Sequence, residues 1–265
     1  MNSVVSGPGP VAGDARGTSA GPAPDGGVHL APKVGAARAA LARLGARARQ
    51  GDVGLLGGVH AYDPDVAATY RAAAVLVLLS PPADDGAGDG PATGAGPDLF
   101  LVQRSPHLRH HPGQIALPGG RAEPGDGDLA NTALREAHEE IGLLPDHVEV
   151  LGELPPVLVP ISRYVVTPVL GWTTRADLAT RVDPGEVLHT IRVGVGRLLD
   201  PSARAAVTVR GHRSAGFRVP SGWVWGFTGN LLDHLFTELG WTRPWDTSRE
   251  VAMAYDAVQG LIVPE

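Results

Sequence analysis

Hydrophobic and polar positions follow distinct rhythms along this chain, and each rhythm predicts a kind of element. In residues 34–49, VGAARAALARLGARAR, Val34, Ala37, Leu41 and Leu44 recur at helical spacing with arginines on the other side, which predicts an amphipathic helix. Residues 72–79, AAAVLVLL, are continuously apolar, the pattern of a strand buried on both faces. The Gly/Pro/Asp-rich stretch 80–98 then reads as a long hairpin loop, and LFLVQR (99–104) returns as the partner strand. Further strands are predicted at 114–118, 148–154, 165–173, 189–196, 205–211 and in the aromatic run 216–226. A second helix is expected over 128–141, opened by Asp128 as N-cap and stopped by Gly142. A third is expected over 227–239, and the last two dozen residues read either as a docked tail or as a short helix. Strands interspersed with few helices imply an α/β or α+β sandwich.

Composition sharpens this picture at the ends of the chain. Hydrophobic residues fill 43% of 265 positions, enough for a real core, while 36 glycines and 24 prolines are concentrated in loops and in residues 1–28. That first stretch has no periodicity and too little apolar area to offset its ordering entropy, so it is expected to be a disordered tail. The division expected is therefore a tail at 1–28, an amphipathic helix and lead-in at 29–52, the main domain at 53–245 and a C-terminal tail at 246–265. The formal net charge of −6 lacks the basic surplus of a general nucleic-acid binder, although it leaves room for a local basic patch. Zero cysteines exclude disulfides, thiolate metal sites and a cysteine nucleophile. Residues 1–28 contain no apolar signal core, and no apolar run approaches the roughly 20 residues that cross a bilayer. The expectation is a soluble, cytoplasmic protein with no membrane or nucleic-acid partner.

The chemistry concentrates in LREAHEEIG, residues 134–142. Glu136, Glu139 and Glu140 span an arc of roughly 100° on one helix face. Like charges at this spacing repel, so either water screens them or a positive group sits among them. Ala130, Leu134, Ala137 and Ile141 lie on the opposing side, and Arg135 stands ready to hold one carboxylate through its fork. The preceding segment favours the second reading: LPGG (117–120) follows a strand, and RAEPGDGD (121–128) loops into the helix. Paired glycines let backbone approach a ligand closely. Three carboxylates beside such a loop make an oxygen-rich site suited to a hard cation such as Mg²⁺ or Mn²⁺.

With those residues in view, the run from Gly120 through REAHEEIGL resembles the Nudix box of the Nudix hydrolases. Arg135, Glu136, Glu139, Glu140 and Gly142 fall where that family has them. The loop half departs from the pattern: Gly120 to Arg135 is one residue longer, and the acids on offer are Glu123, Asp126 and Asp128. Upstream, LFLVQRSPHLRHHPGQIALPGG (99–120) resembles the signature of the coenzyme A pyrophosphatase branch, carried by Arg104, Ser105, Arg109, Gly113, Pro118, Gly119 and Gly120. Val102 and Leu117 replace the Thr and Phe common there. The likeness extends over about residues 70–240 and implies a Nudix-like α/β/α sandwich with a mixed central sheet.

The resemblance implies hydrolysis of the pyrophosphate of coenzyme A, with 4′-phosphopantetheine and adenosine 3′,5′-bisphosphate as products. It assigns Glu136, Glu139 and Glu140 to the metal and Arg135 to orienting a glutamate. Gly119 and Gly120 would offer backbone contacts, and Arg104 and Arg109 would bind the anionic substrate. Glu186 is the candidate general base, with an ordinary loop acid as the plain alternative. The partner implied is a small-molecule nucleotide, with a homodimer as the candidate assembly. His107, His110 and His111 read as solvent-exposed or phosphate-contacting rather than as a zinc site, and His138 as facing solvent. Trp223 and Trp225 read as core residues or as a platform for adenine. Competing readings are a Nudix enzyme for ADP-ribose, a dinucleotide or a nucleoside triphosphate, and a non-catalytic Nudix-fold sensor.

Overall fold

The computed structural model describes residues 32–83, 96–108, 111–176, 185, 187–256 and 261–264. The proposed tail at 1–28 and the candidate residues Arg109, His110 and Glu186 lie outside them, as does most of the loop expected over 80–98. Helices run over α1 (Val34–Arg49), α2 (Pro64–Ala67), α3 (Leu129–Ile141), α4 (Val195–Leu198) and α5 (Gly226–Glu238). The first strands are β1 (Arg71–Ser80), β2 (Asp98–Arg104), β3 (Ile115–Ala116), β4 (Gly119–Arg121), β5 (Glu149–Glu153), β6 (Val157–Val159), β7 (Tyr164–Trp172) and β8 (Val187–Gly194). They form one mixed sheet around the parallel pair β1 and β7. A second sheet holds β9 (Arg204–Val209), β10 (His212–Val219), β11 (Gly222–Val224), β12 (Glu250–Asp256) and β13 (Leu261–Pro264).

The continuous apolar run of β1 is explained by cover on both of its faces. Ala74, Leu76 and Leu78 pack with Ala133, Ala137 and Ile141 of α3. Val77 and Leu79 point the other way, into a core with Ala37, Leu41 and Leu44 of α1 and Leu231, Leu232, Leu235 and Phe236 of α5. The result is a helix–sheet–helix sandwich, an α+β architecture with a mixed sheet. Each fully buried Leu or Phe in these layers is worth about 1.5–3 kcal/mol of transfer free energy, which makes the two cores the main stabilising term.

Three sequence readings change on contact with the structure. The strand expected over 114–118 shrinks to β3, because Pro118 ends it and Gly119–Arg121 form the separate β4 against β1. Residues 216–226 do not form one strand: the turn at Pro220–Ser221 folds them into β10 and β11. At the C-terminal end the chain holds strands rather than a short helix, with β12 parallel to β9 and β13 antiparallel to β12. The second sheet is tied to α5 by Arg204, which is 1% exposed and sits between the rings of Phe217 and Trp245. Its guanidinium donates to Asp233 at 2.5 Å. Burial pulls its pKa down, and the Asp233 carboxylate opposes that.

Candidate active site

Helix α3 is fixed at both ends before it presents any charge. The Asp128 carboxylate accepts from the Asn131 N–H at 2.7 Å, a cap worth about 1 kcal/mol. At the far end Gly142 takes the left-handed conformation, φ +73°, and its N–H returns to the His138 carbonyl. One side of the helix is buried on β1, β4 and β7 through Ala133, Ala137 and Ile141.

Strand β4 gives the site its backbone. Leu76 N–H donates to Pro118 O at 2.8 Å and Ala122 N–H to Ala72 O at 3.0 Å, so the even-numbered positions of this segment bond to β1. The main-chain groups of Gly119 and Arg121 therefore point to the free edge of β4, where they would be orphaned. Side chains of α3 close that edge. The Gly119 N–H donates to Glu140 Oε2 at 2.9 Å, and the Arg121 carbonyl accepts from Arg135 Nη2 at 2.9 Å. Both glycines are required by close approach. A methyl on Gly119 would lie 2.6 Å from Val75 Cα, and one on Gly120 would overlap the Glu136 carboxylate.

The three glutamates share one side of α3 but lie at different depths. Glu140 is 2% exposed, the Glu136 side chain 13% and the Glu139 side chain 49%. Glu140 also has Arg104 Nη1 at 3.9 Å. Much of the positive charge that the carboxylates demand comes from Arg135. Its Nη2 reaches Glu136 at 3.0 Å and its Nη1 reaches Glu139 at 3.2 Å.

Arg135 is itself anchored by a residue whose role the spacing left open. Asp126 takes the guanidinium fork on both oxygens, from Nε at 2.8 Å and Nη2 at 3.3 Å. It also accepts from the Glu123 N–H at 2.9 Å and the Thr132 hydroxyl at 2.8 Å. The Arg135 bond, reinforced by the Glu123 N–H, holds the Asp126 carboxyl far below the usual carboxylate range. The same bond pushes the Arg135 pKa further up. The extra loop residue between Gly120 and Arg135 thus leaves an acid positioned to orient the arginine.

The donors fit a divalent cation in kind: three carboxylates of adjacent helical turns beside a main-chain edge are hard oxygen ligands. As the side chains stand, no three Asp, Glu or His groups among the described residues are gathered closely enough to enclose an ion. Glu139 is the half-exposed member, free to swing from Arg135 at little cost.

Other predicted residues fall nearby or elsewhere. Ser105 is buried, and Arg104 Nε is buried with no hydrogen-bond partner among the described residues. His107 is exposed, and His111 Nδ1 pairs with Gln114 Oε1 at 3.0 Å. His138 is exposed on α3. Trp223 and Trp225 are half-buried rather than core residues.

The model of the NUDIX domain family matches residues 91–190, a range that holds the whole glycine-to-glutamate segment. Among curated proteins the chain is 36% identical over 149 residues to the uncharacterized Nudix hydrolase NudL of Enterobacter sp. (strain 638), covering 54% of this chain and 76% of that protein. It is 38% identical over 149 residues to NudL of Salmonella paratyphi B, with the same coverage. Among solved structures it overlaps in part with a C. elegans Ap4A hydrolase binary complex (TM-score 0.36, 19% identity, 47% of this chain and 80% of that one). A NUDIX hydrolase from Alicyclobacillus acidocaldarius overlaps similarly (TM-score 0.37, 21% identity, 49% and 81%). On the strength of the curated relatives, the chain belongs to the Nudix hydrolase family.

Proposed function

We propose that this Nudix hydrolase cleaves the pyrophosphate of coenzyme A, free or acylated, with Mg²⁺ or Mn²⁺ as cofactor. The observation that carries the substrate assignment is the segment from Arg104 to Gly120, which bears the coenzyme A pyrophosphatase signature and ends at the glycine pair against Glu136 and Glu140. Arg104, 3.9 Å from Glu140, supports a role for this segment beside the reacting groups.

In this reading Glu136, Glu139 and Glu140 would hold the cation, which would supply charge neutralisation at the phosphates and a lowered pKa for a water. The chain's own residues provide the geometry. The Gly119 N–H fixes one oxygen of Glu140. Arg135, locked by Asp126, fixes Glu136 against Gly120. Arg104 and Arg109 bind phosphate oxygens through their planar forks. Water adds its oxygen to one phosphorus, the bridging P–O bond breaks, and the products are 4′-phosphopantetheine and adenosine 3′,5′-bisphosphate. Glu186 is the proposed base that takes the water's proton. Its neighbour Val187 pairs with Arg104 across β2 and β8. A Glu186→Gln variant is expected to lose at least tenfold in kcat with KM little changed, and an unchanged kcat removes it from the mechanism.

The test of the substrate is incubation with coenzyme A, an acyl-coenzyme A, ADP-ribose, a dinucleotide and a nucleoside triphosphate, with products identified by mass spectrometry. Phosphopantetheine release at the highest kcat/KM supports the proposal, whereas preferred cleavage of another nucleotide keeps the family chemistry and replaces the substrate. A cytoplasmic location and a homodimeric assembly belong to the same proposal, the latter tested by light scattering.

A further inference from the structure

The side chain of Arg121 leaves β4 on the face opposite the glutamates. Arg121 pairs with Ala73 of β1, and Arg71 lies two positions earlier on that strand, so both arginines project from the same sheet face. Tyr164 of β7 is in register with Arg71 and shares the face. The Arg71 guanidinium lies 4.5 Å from the centre of the Tyr164 ring, which braces it. Diagonal neighbours on adjacent strands have Cα atoms about 7–8 Å apart, well within the reach of two arginines toward one anion.

These cations are poorly compensated. Arg121 meets Glu123 at 3.4 Å, but both side chains are half-exposed and such a pair is worth little. Arg71 has no carboxylate partner among the described residues, and its side chain is exposed. Two neighbouring arginines on a protein with a formal charge of −6 form a local exception that favours an anion. The position is equally specific. The Arg121 carbonyl is bonded to Arg135 and the Gly119 N–H to Glu140, so β4 meets the glutamate site along its edge and carries the Arg121 side chain on the sheet face opposite.

We propose that Arg71 and Arg121 form a second anion-binding rim, which takes a phosphate monoester that the substrate carries away from its pyrophosphate. The inference rests on the coenzyme A reading, whose 3′-phosphate is such a group. It assigns discrimination for that phosphate to this rim, and leaves Arg104 to the reacting end.

The test is a binding measurement that does not depend on turnover. Titration calorimetry with adenosine 3′,5′-bisphosphate and with adenosine 5′-monophosphate gives the ratio of the two affinities. Wild type is expected to favour the bisphosphate by about tenfold, as two charge-assisted contacts warrant. The Arg71→Gln/Arg121→Gln double variant brings the ratio to about one, and Arg121→Lys keeps part of it. Circular dichroism checks that each variant is folded. A wild-type ratio near one, or a ratio preserved in the double variant, overturns the rim. Absence of coenzyme A hydrolysis with the wild-type ratio intact and lost in the double variant would end the substrate proposal and uphold the rim.

Discussion

At the scale of single residues, Asp126 and Arg135 decide whether the glutamates are organised. The Asp126 carboxyl is depressed in the folded state from its usual 3.8, chiefly by Arg135, so its ion pair stabilises the fold at pH values above the unfolded pKa. That contribution is lost as pH falls through 3.8 toward the depressed folded value. Asp126→Asn is therefore expected to be less stable than wild type at neutral pH, with the gap between them closing below about pH 4 in thermal melts taken across the acid range. A constant gap down to pH 2 would mean that Asp126 acts through something other than its charge. Gly120→Ala tests the neighbouring contact. The added methyl would displace the Glu136 carboxylate, and a shift of that size is expected to cost about 100-fold in kcat. Steady-state kinetics on folded variant decides it, and wild-type turnover would show that Glu136 need not stay where it lies.

Between elements, α1 and β5 pack backbone against backbone. Gly45 sits on the Leu151–Gly152 backbone, and a methyl on Gly152 would lie 2.7 Å from Gly45 Cα. No side chain fits there without moving the helix. Gly45→Ala is expected to destabilise the protein by about 1–3 kcal/mol in urea unfolding, while kcat per folded molecule holds, because α1 covers the sheet face away from α3. Full stability in that variant would contradict the packing. Elements of this kind were the legible part of the sequence. The period of α1, the apolar run of β1, and the cap and stop of α3 are local signals, and each element formed where its signal stood. Strands β4 (GGR) and β6 (VLV) were not legible, since three residues owe their pairing to a long-range neighbour rather than to propensity. The β12–β13 hairpin failed for the same reason, its partner β9 lying some forty residues earlier.

For the whole molecule, the sandwich places α3 over the free edge of β4, and the site is the product of that juxtaposition. That Glu136, Glu139, Glu140, Arg135 and the glycine pair are candidates was readable from spacing. Their unequal burial was not, because helical periodicity gives an angle around the axis but not the depth of what packs against it. Asp126 stayed ambiguous among three loop acids until the loop's path was known. Hydrolysis of the proposed substrate requires this edge and its glutamates. The most direct measurement compares wild type with Glu140→Gln for release of 4′-phosphopantetheine from coenzyme A in Mg²⁺, by mass spectrometry on protein shown to be folded. Rapid release by wild type and a loss of at least 100-fold in the variant is the predicted result. Equal release by both would contradict the account, and so would no release by either.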